Sequence, residues 1–455
     1  MATATAPPTR LHAVANPAPP APGHLPLIGH APALLRRPLS FFEHTRTTDP
    51  LVRIGFGPVR LYLANDPALV HRIQVDTTTF ERGRFFERLA ANFGNPLIAS
   101  SGAPHQHQRR LLKPAFNRRA VRDHTLAVTQ ETEARIGAWR PGAVVAADEE
   151  ISDLVAAVVL RCLFTTQLPA HTVRDIRDTL YAIARRLLAR TVFPDALTRL
   201  PTPGNRRFAA QVGRFHTVVD TLIRERRAEG PLPEGHDVLD ALLGTVHPET
   251  GRPLSDAEIR AEFLMLLFAA LETTSTSLNW AVFETATRQD VQRRLQDEAD
   301  QVLGRGPVSY AKLPELTFTR QVLDETLRLH APMLFTRRTV TDVTLAGIRV
   351  PAGSEIGYSP RAMHRAVDLY PHPHTFDPDR AGPDQGTDRP RGAYFPFGTG
   401  PHRCIGEHLA LTLMTTALAT LASRWHVRIA PGTTIREANS SLPHVSHLPL
   451  IPTPR

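Results

Sequence analysis

The chain is expected to fold as a mainly α-helical protein with small β-sheets. Helical periodicity dominates from about residue 105 to 330, while strand-like alternation is confined to Leu51–Asn65 and Thr339–Pro351. A last helical run is expected from Cys404 to near Trp425. The 455 residues would accommodate about three average domains, but no internal repeat or long linker divides them. One large domain over residues 25–455 is therefore expected, after a flexible Pro-rich tail at 1–24.

Composition excludes several classes. With 42% hydrophobic and 21% charged residues the chain is globular, not disordered or fibrous. The tail holds six prolines and no acid, and it lacks the apolar core of a secretory signal. The longest uncharged apolar stretch, Phe263 to Leu271, is nine residues. A membrane span needs roughly 18, so none is expected. A net charge of +9 suggests a polyanion partner, yet only Lys113 and Lys312 are lysines. The arginines are interleaved with acids, which fits GC-rich coding better than nucleic-acid binding. Cys162 and Cys404 lie 242 positions apart and make no disulfide framework. A reduced cytoplasmic setting is expected, with one cysteine available for chemistry.

The elements follow in order. Leu51 to Asn65 alternates about Gly57-Pro58 and is expected to form a hairpin. The turn Leu200-Pro-Thr-Pro-Gly204 interrupts the helical region. Ser255-x-x-Glu258 is a capping box opening a helix to about Thr287. A second hairpin is expected at Thr339–Pro351, with Gly347 near its turn. Residues 366–402 are irregular and rich in Pro, His and Asp.

Chemistry concentrates in Phe395-Pro-Phe-Gly-Thr-Gly-Pro-His-Arg-Cys-Ile-Gly406. Glycines and prolines precede the cysteine and an amphipathic helix follows it. The sulfur is thereby expected at a helix N-terminus, whose N–H groups would stabilise a thiolate. Gly400 and Gly406 would permit close backbone approach to something flat and bulky, with Phe397 beside the sulfur. A structural cysteine is one alternative. Zinc held by His402, Cys404 and His408 is another, although it lacks a fourth ligand and leaves the glycines unexplained.

Phe397-x-x-Gly400-x-x-x-Cys404-x-Gly406 resembles the haem-binding signature of the cytochrome P-450 superfamily, complete at its four fixed positions. Three further segments resemble that family in its order. Glu325-Thr-Leu-Arg328 is similar to its Glu-x-x-Arg, and Pro373-x-x-Phe376-x-Pro378-x-Arg380 to the segment supplying a second arginine. Ala269-Ala-Leu-Glu-Thr-Thr274 is similar to its Ala-Gly-x-(Asp/Glu)-Thr-Thr, with Ala270 where Gly is usual. Gly102-x-x-His105-x-x-x-Arg109 resembles its propionate-contacting helix, and Pro20–Gly29 its Pro-rich leading segment.

The resemblance implies the α-rich fold of that family and haem b, with Cys404 as its axial metal ligand. It implies catalytic roles for Thr273 and Glu272 in proton delivery, and cofactor binding by His105, Arg109, His402 and one of Arg337 or Arg338. Arg337 is preferred by its spacing to Val343. Glu325, Arg328 and Arg380 would form a structural charge network. The implied activity is a soluble, actinobacterial-type monooxygenase that uses O2 and an apolar small molecule, such as a terpenoid in secondary metabolism. Electrons would come from a ferredoxin and ferredoxin reductase, since no flavin- or NAD-binding motif is present. A basic surface at Arg109, Arg110, Lys113, Arg118 and Arg119 would suit an acidic partner. Expected pocket residues are Phe85, Phe86, Phe268, Ala269, Met333 to Phe335 and Leu442. A peroxide-using or non-oxygenating haem-thiolate enzyme, or a macrolide or fatty-acyl hydroxylase, would share the haem motifs, and a non-enzymatic haem or zinc binding protein is the remote alternative.

Overall fold

A computed structural model describes residues 18–455, apart from short segments at 47–48, 58, 166–167, 193–199, 231–236, 247–250, 383–388 and 439–441. Most of the expected tail lies outside the described residues.

The fold is mainly helical with small sheets. Its largest sheet has five strands in the order β1-β2-β8-β5-β3: Leu51–Phe56, Val59–Ala64, Glu355–Tyr358, Phe335–Thr339 and Phe80–Arg82. β1 and β2 form the first expected hairpin, with Leu51 opposite Ala64. The leading segment docks on this hairpin through a bridge from Pro20 to Arg53. β4 (Val145–Ala146), β12 (Pro449–Pro454) and β9 (Trp425–Ile429) form a three-stranded sheet, and β10 (Glu437–Ala438) pairs with β11 (His444–Val445).

The second hairpin is narrower than Thr339–Pro351. Its strands are β6 (Val343–Leu345) and β7 (Ile348–Val350), joined through Ala346 and Gly347 at φ 48° and 77°. Two successive positive φ values make the tight turn that follows strand twist. Thr339 instead ends β5, where its hydroxyl donates to the Pro351 carbonyl at 2.7 Å and ties the hairpin back.

The central helix, Asp256–Thr287, is capped as expected. Glu258 accepts from the Ser255 N–H at 2.8 Å while Ser255 Oγ accepts from the Glu258 N–H. Arg252 and these capping donors hold the Glu258 carboxyl down at about 2. Buried side chains surround the helix on all sides, as in a helix that runs through a core. The helices Ala147–Phe164, Arg118–Ile136 and Glu407–Arg424 contribute to the main hydrophobic cluster with it. A second cluster lies on the five-stranded sheet and includes Phe80, Ile356, Tyr358 and Phe395.

Glu325 and Arg328, on the helix Thr317–Leu329, are both almost fully buried. Arg328 Nε and Nη2 donate to the two Glu325 oxygens at 2.7 Å each. Arg328 Nη1 also donates to the carbonyls of His364 and Pro373 at 2.7 and 2.8 Å. Glu325 accepts from the Asp377 N–H at 3.0 Å and lies 3.5 Å from Arg380, which reaches the Pro371 carbonyl. These bonds order a stretch with almost no regular structure. Removing one partner strands a buried charge, so Arg328→Leu is expected to cost about 3–5 kcal/mol. Chemical denaturation checks this, and a loss within about 1 kcal/mol would show that the network is dispensable.

Candidate active site

The segment from Ala393 to Gly406 is held from outside at several points. Tyr370 Oη donates to the Ala393 carbonyl at 3.0 Å, and the Phe395 N–H donates to His364 Nε2 at 3.1 Å. Burial and Arg328 keep the His364 pKa down at about 3, so this acceptor nitrogen stays neutral. Gln74 Oε1 accepts from the Thr399 N–H at 3.0 Å. Gly400 has φ +70°, and a Cβ there would lie 2.8 Å from the Gln74 carbonyl and 2.9 Å from Val75 Cα. Glycine is needed for contact with the protein's own backbone. The expectation for Gly400 is corrected accordingly, whereas the space beside Gly406 is open, with nothing within 4 Å of a Cβ built there.

The cysteine helix starts later than expected. It spans Glu407–Arg424 with Gly406 as N-cap, because the Cys404 N–H turns back to the Phe397 carbonyl at 2.9 Å. Cys404 therefore stands on a turn before the helix. Its surface is accessible, yet atoms surround it densely enough for burial to raise its thiol pKa. Both hold for a side chain lining an internal hollow. The Gly406 N–H, Arg109 and Arg403 pull the pKa back, while Glu407 pushes it up. The depressed thiol expected from a helix end is absent, since one N–H replaces an open helix terminus. A thiolate here needs a further cation, which a metal ion supplies.

His105 and Arg109, four residues apart on the helix Gly102–Leu112, share one face. The His105 ring lies 4.0 Å from that of His402. Arg337 is buried on β5, opposite Arg82 of β3 in register. Burial, then Arg82, Arg109 and Arg337, lower His105 to about 4. Burial, Arg82 and His105 lead the causes that bring His402 down to about 2. Arg82 and Arg109 are lowered too, both first by burial. Apart from the Tyr358 phenol, the Cys404 sulfur and the His105 ring, every charged group acting on these four residues is an arginine. Arg82 Nε and His402 Nδ1 are buried without a partner.

The structure thus brings Cys404, His105, Arg109, Arg337 and His402 together. Arg338 points elsewhere, bonded to Glu81 at 2.7 Å and paired with Glu87. Arg82 is the member that sequence reasoning missed. A lone arginine in a three-residue strand gives no pattern, and its place follows only from pairing with Arg337.

On the central helix the stretch Phe268–Thr273 is less covered than its neighbours. Residues 262–265 and 274–276 are buried, whereas Ala269 and Ala270 are half-buried and Thr273 is exposed. Thr273 Oγ1 donates to the Ala269 carbonyl at 2.6 Å. Glu272, one position away and about 100° round the helix, lines a small pocket with Leu180, Tyr181, Phe268 and Leu271. The surroundings of other expected pocket residues are varied. Phe86 is buried with Arg82 stacked on its ring at 4.4 Å, and Met333 and Leu334 pack on a satellite cluster beside β2. Phe335 is exposed, 6.0 Å from the Tyr358 ring, while Phe85 packs against the main cluster.

Residues 19–450 match the family described as Cytochrome P450. The chain belongs to the cytochrome P450 family. It is 38% identical over 438 residues to a cyclooctat-9-en-7-ol 5-monooxygenase of Streptomyces melanosporofaciens, covering 96% of this chain and 95% of that protein. It is 33% identical to a pentalenene oxygenase of Streptomyces avermitilis, covering 91% and 92%. The crystal structure of the cytochrome P450DA haem domain superposes with a TM-score of 0.84 at 23% identity, covering 97% and 99%. That likeness extends to the fold.

This P450 is a monooxygenase whose cofactor is haem b. The residues fit that group: a soft, accessible sulfur donor stands beside Arg109 and its buried cationic neighbours, and haem brings a metal and two carboxylates. Among the described residues no group of three or more His, Cys, Asp or Glu side chains could hold a metal ion, which leaves the zinc alternative without ligands. No helix there is long and apolar enough to cross a membrane. If the cation nest receives the propionates, Arg82→Gln lowers haem retained through gel filtration whereas Arg338→Gln keeps it. Equal retention in both variants would remove Arg82 from the nest.

Proposed function

We propose that this P450 hydroxylates a terpenoid in secondary metabolism, R–H + O2 + 2e− + 2H+ giving R–OH + H2O, with residues 25–455 acting as one domain. The observation that carries the haem-thiolate reading is the sulfur of Cys404 beside a buried nest of cations. Cys404 would ligate the iron, and Arg82, His105, Arg109, Arg337 and His402 would seat the propionates. When bound, the haem supplies the dioxygen chemistry. The chain's own part is to place substrate, exclude water and deliver protons.

Thr273 and Glu272 are assigned to that delivery. The Thr273 hydroxyl already spends its proton on the Ala269 carbonyl, so its oxygen remains free to accept from a water in the hollow. Bonding back to the i−4 carbonyl also loosens the helical ladder there. Glu272, at the edge of the adjoining pocket, is the acid next in line. Ala270 in place of glycine narrows the groove by one methyl group and leaves it open.

The terpenoid assignment rests on relatives whose names specify cyclooctat-9-en-7-ol and pentalenene, and on a pocket wall of Leu180, Phe268 and Leu271. Its test is titration of the purified enzyme with terpene hydrocarbons and alcohols, read as a spin-state shift. Terpenes should shift the spectrum at micromolar concentrations, and a response to fatty acids alone would overturn the assignment. Thr273→Ala should retain haem and substrate affinity while most electrons are diverted to peroxide. Unchanged product yield per electron pair would remove Thr273 from the relay.

A ferredoxin is the proposed electron donor. Arg109 belongs to the interior nest, but Arg110, Lys113, Arg118 and Arg119 are exposed and offer a basic face. Both cysteines are free, which fits the reducing cytoplasm proposed as the setting. Charge reversal at Arg118 and Arg119 should raise the KM for an acidic ferredoxin, more strongly at low salt, and leave kcat nearly unchanged. An unaltered KM would place the docking face elsewhere.

A further inference from the structure

Glu262 lies on the central helix, 5% exposed, and both its carboxyl oxygens face the Leu97 N–H, at 3.1 and 3.0 Å. One N–H cannot satisfy a buried carboxylate, which has about four lone-pair sites and a large desolvation cost. The neutral acid suits the site far better. Burial accordingly pushes its pKa up to about 7, against the pull of Leu97. Charges on the surrounding elements are engaged elsewhere: Arg260 with Asp220, Arg226 with Asp237 and Asp240, and Arg161 with Glu131. On its own helix, Glu258 is held by Arg252. The loop 94–101 itself contains no titratable residue.

That loop joins the helix Arg84–Phe93 to the helix Gly102–Leu112, which carries His105 and Arg109. Ser100 Oγ donates to the Leu97 carbonyl at 3.1 Å within the loop, and Gln108 on the helix donates to the Asn95 carbonyl and accepts from Ser100 Oγ, each at 2.7 Å. A displacement of the loop is therefore coupled to the start of that helix. Glu262, Ala269 and Thr273 follow an i, i+7, i+11 spacing and share one helix face, with Glu262 about 10 Å along the axis from Ala269. The loop is thus fastened to the helix face that carries Thr273.

We propose that Glu262 is a positioning residue, whose neutral acid latches loop 94–101 beside the substrate hollow and whose ionisation releases it to pass bulky apolar ligands. This rests on the reading of the Thr273 face as the substrate side.

The direction of the pH effect follows from linkage. Opening returns Glu262 to water and to an ordinary carboxyl pKa of 4.5, whereas the closed form titrates at about 7. The closed state binds the proton more tightly, so closure is strongest below the lower value and weakens as pH rises to the upper one. Between pH 6 and pH 8 the closed state loses about tenfold.

The test is stopped-flow dissociation of a bulky triazole (fluconazole), neutral over this range, from the haem-loaded enzyme. In the wild type the rate should rise about tenfold from pH 6 to pH 8. Glu262→Gln keeps an acceptor for Leu97 and should be slow and flat with pH, whereas Glu262→Ala should be fast and flat. A wild-type rate independent of pH, or a Glu262→Gln variant that keeps the wild-type profile, overturns the latch and leaves the haem site standing. A wild type that shows no coordination spectrum with the triazole overturns both.

Discussion

A buried nest of positive charge, with no carboxylate acting on Arg82, His105, Arg109 or His402 among the described residues, is the constraint on which the active site depends. Arg82, Arg109 and Arg337 converge with His105 and His402; burial first, and then repulsion from neighbouring arginines, lowers Arg82, His105 and His402. Folding alone would not favour this arrangement, because each cation loses water and gains a like-charged neighbour. A ligand bearing two carboxylates reverses the sign of that account. Beside the nest stands a cysteine sulfur whose thiolate needs a cation beyond Arg109 and Arg403. One haem would meet both demands, so apo-protein and cofactor are complementary in charge.

Holding such a nest requires a frame stiffer than the irregular segment before Cys404 could be by itself. The Glu325–Arg328 pair supplies it, fixing the carbonyls of His364 and Pro373 and the Asp377 N–H at one point. His364 then accepts from Phe395, nine residues before the cysteine, and Gln74 binds Thr399. The ion pair's contribution is one of geometry, since burying it costs much of what its attraction returns. On the other side the central helix combines a sealed core with one thinly covered stretch, Phe268–Thr273. Rigidity and the hollow are produced by the same helix.

Much of this was legible in the sequence. The helical class, the Ser255 capping box and both hairpins follow from periodicity and turn residues, and the Glu325–Arg328–Arg380 network from the family resemblance. The candidate residues His105, Arg109, Arg337, His402 and Cys404 meet in space, and Arg338 is taken up by Glu81 and Glu87. What could not be read depends on pairing between distant segments. Arg82 joins the nest because β3 pairs with β5, and Gly400 is required because the chain at Gln74–Val75 passes beneath it. The cysteine helix begins at Glu407 because a single backbone bond to Phe397 holds Cys404 out of it. Glu262 reads as one more acid in a helix until Leu97 is brought against it.

The most direct test of the haem-thiolate assignment is the absorption spectrum of the purified protein, reduced with dithionite and exposed to carbon monoxide. The account predicts a strongly red-shifted Soret band, lost in Cys404→Ala but present in Cys162→Ala. A Soret band at the position typical of histidine ligation, or a band unaffected by Cys404→Ala, would contradict it.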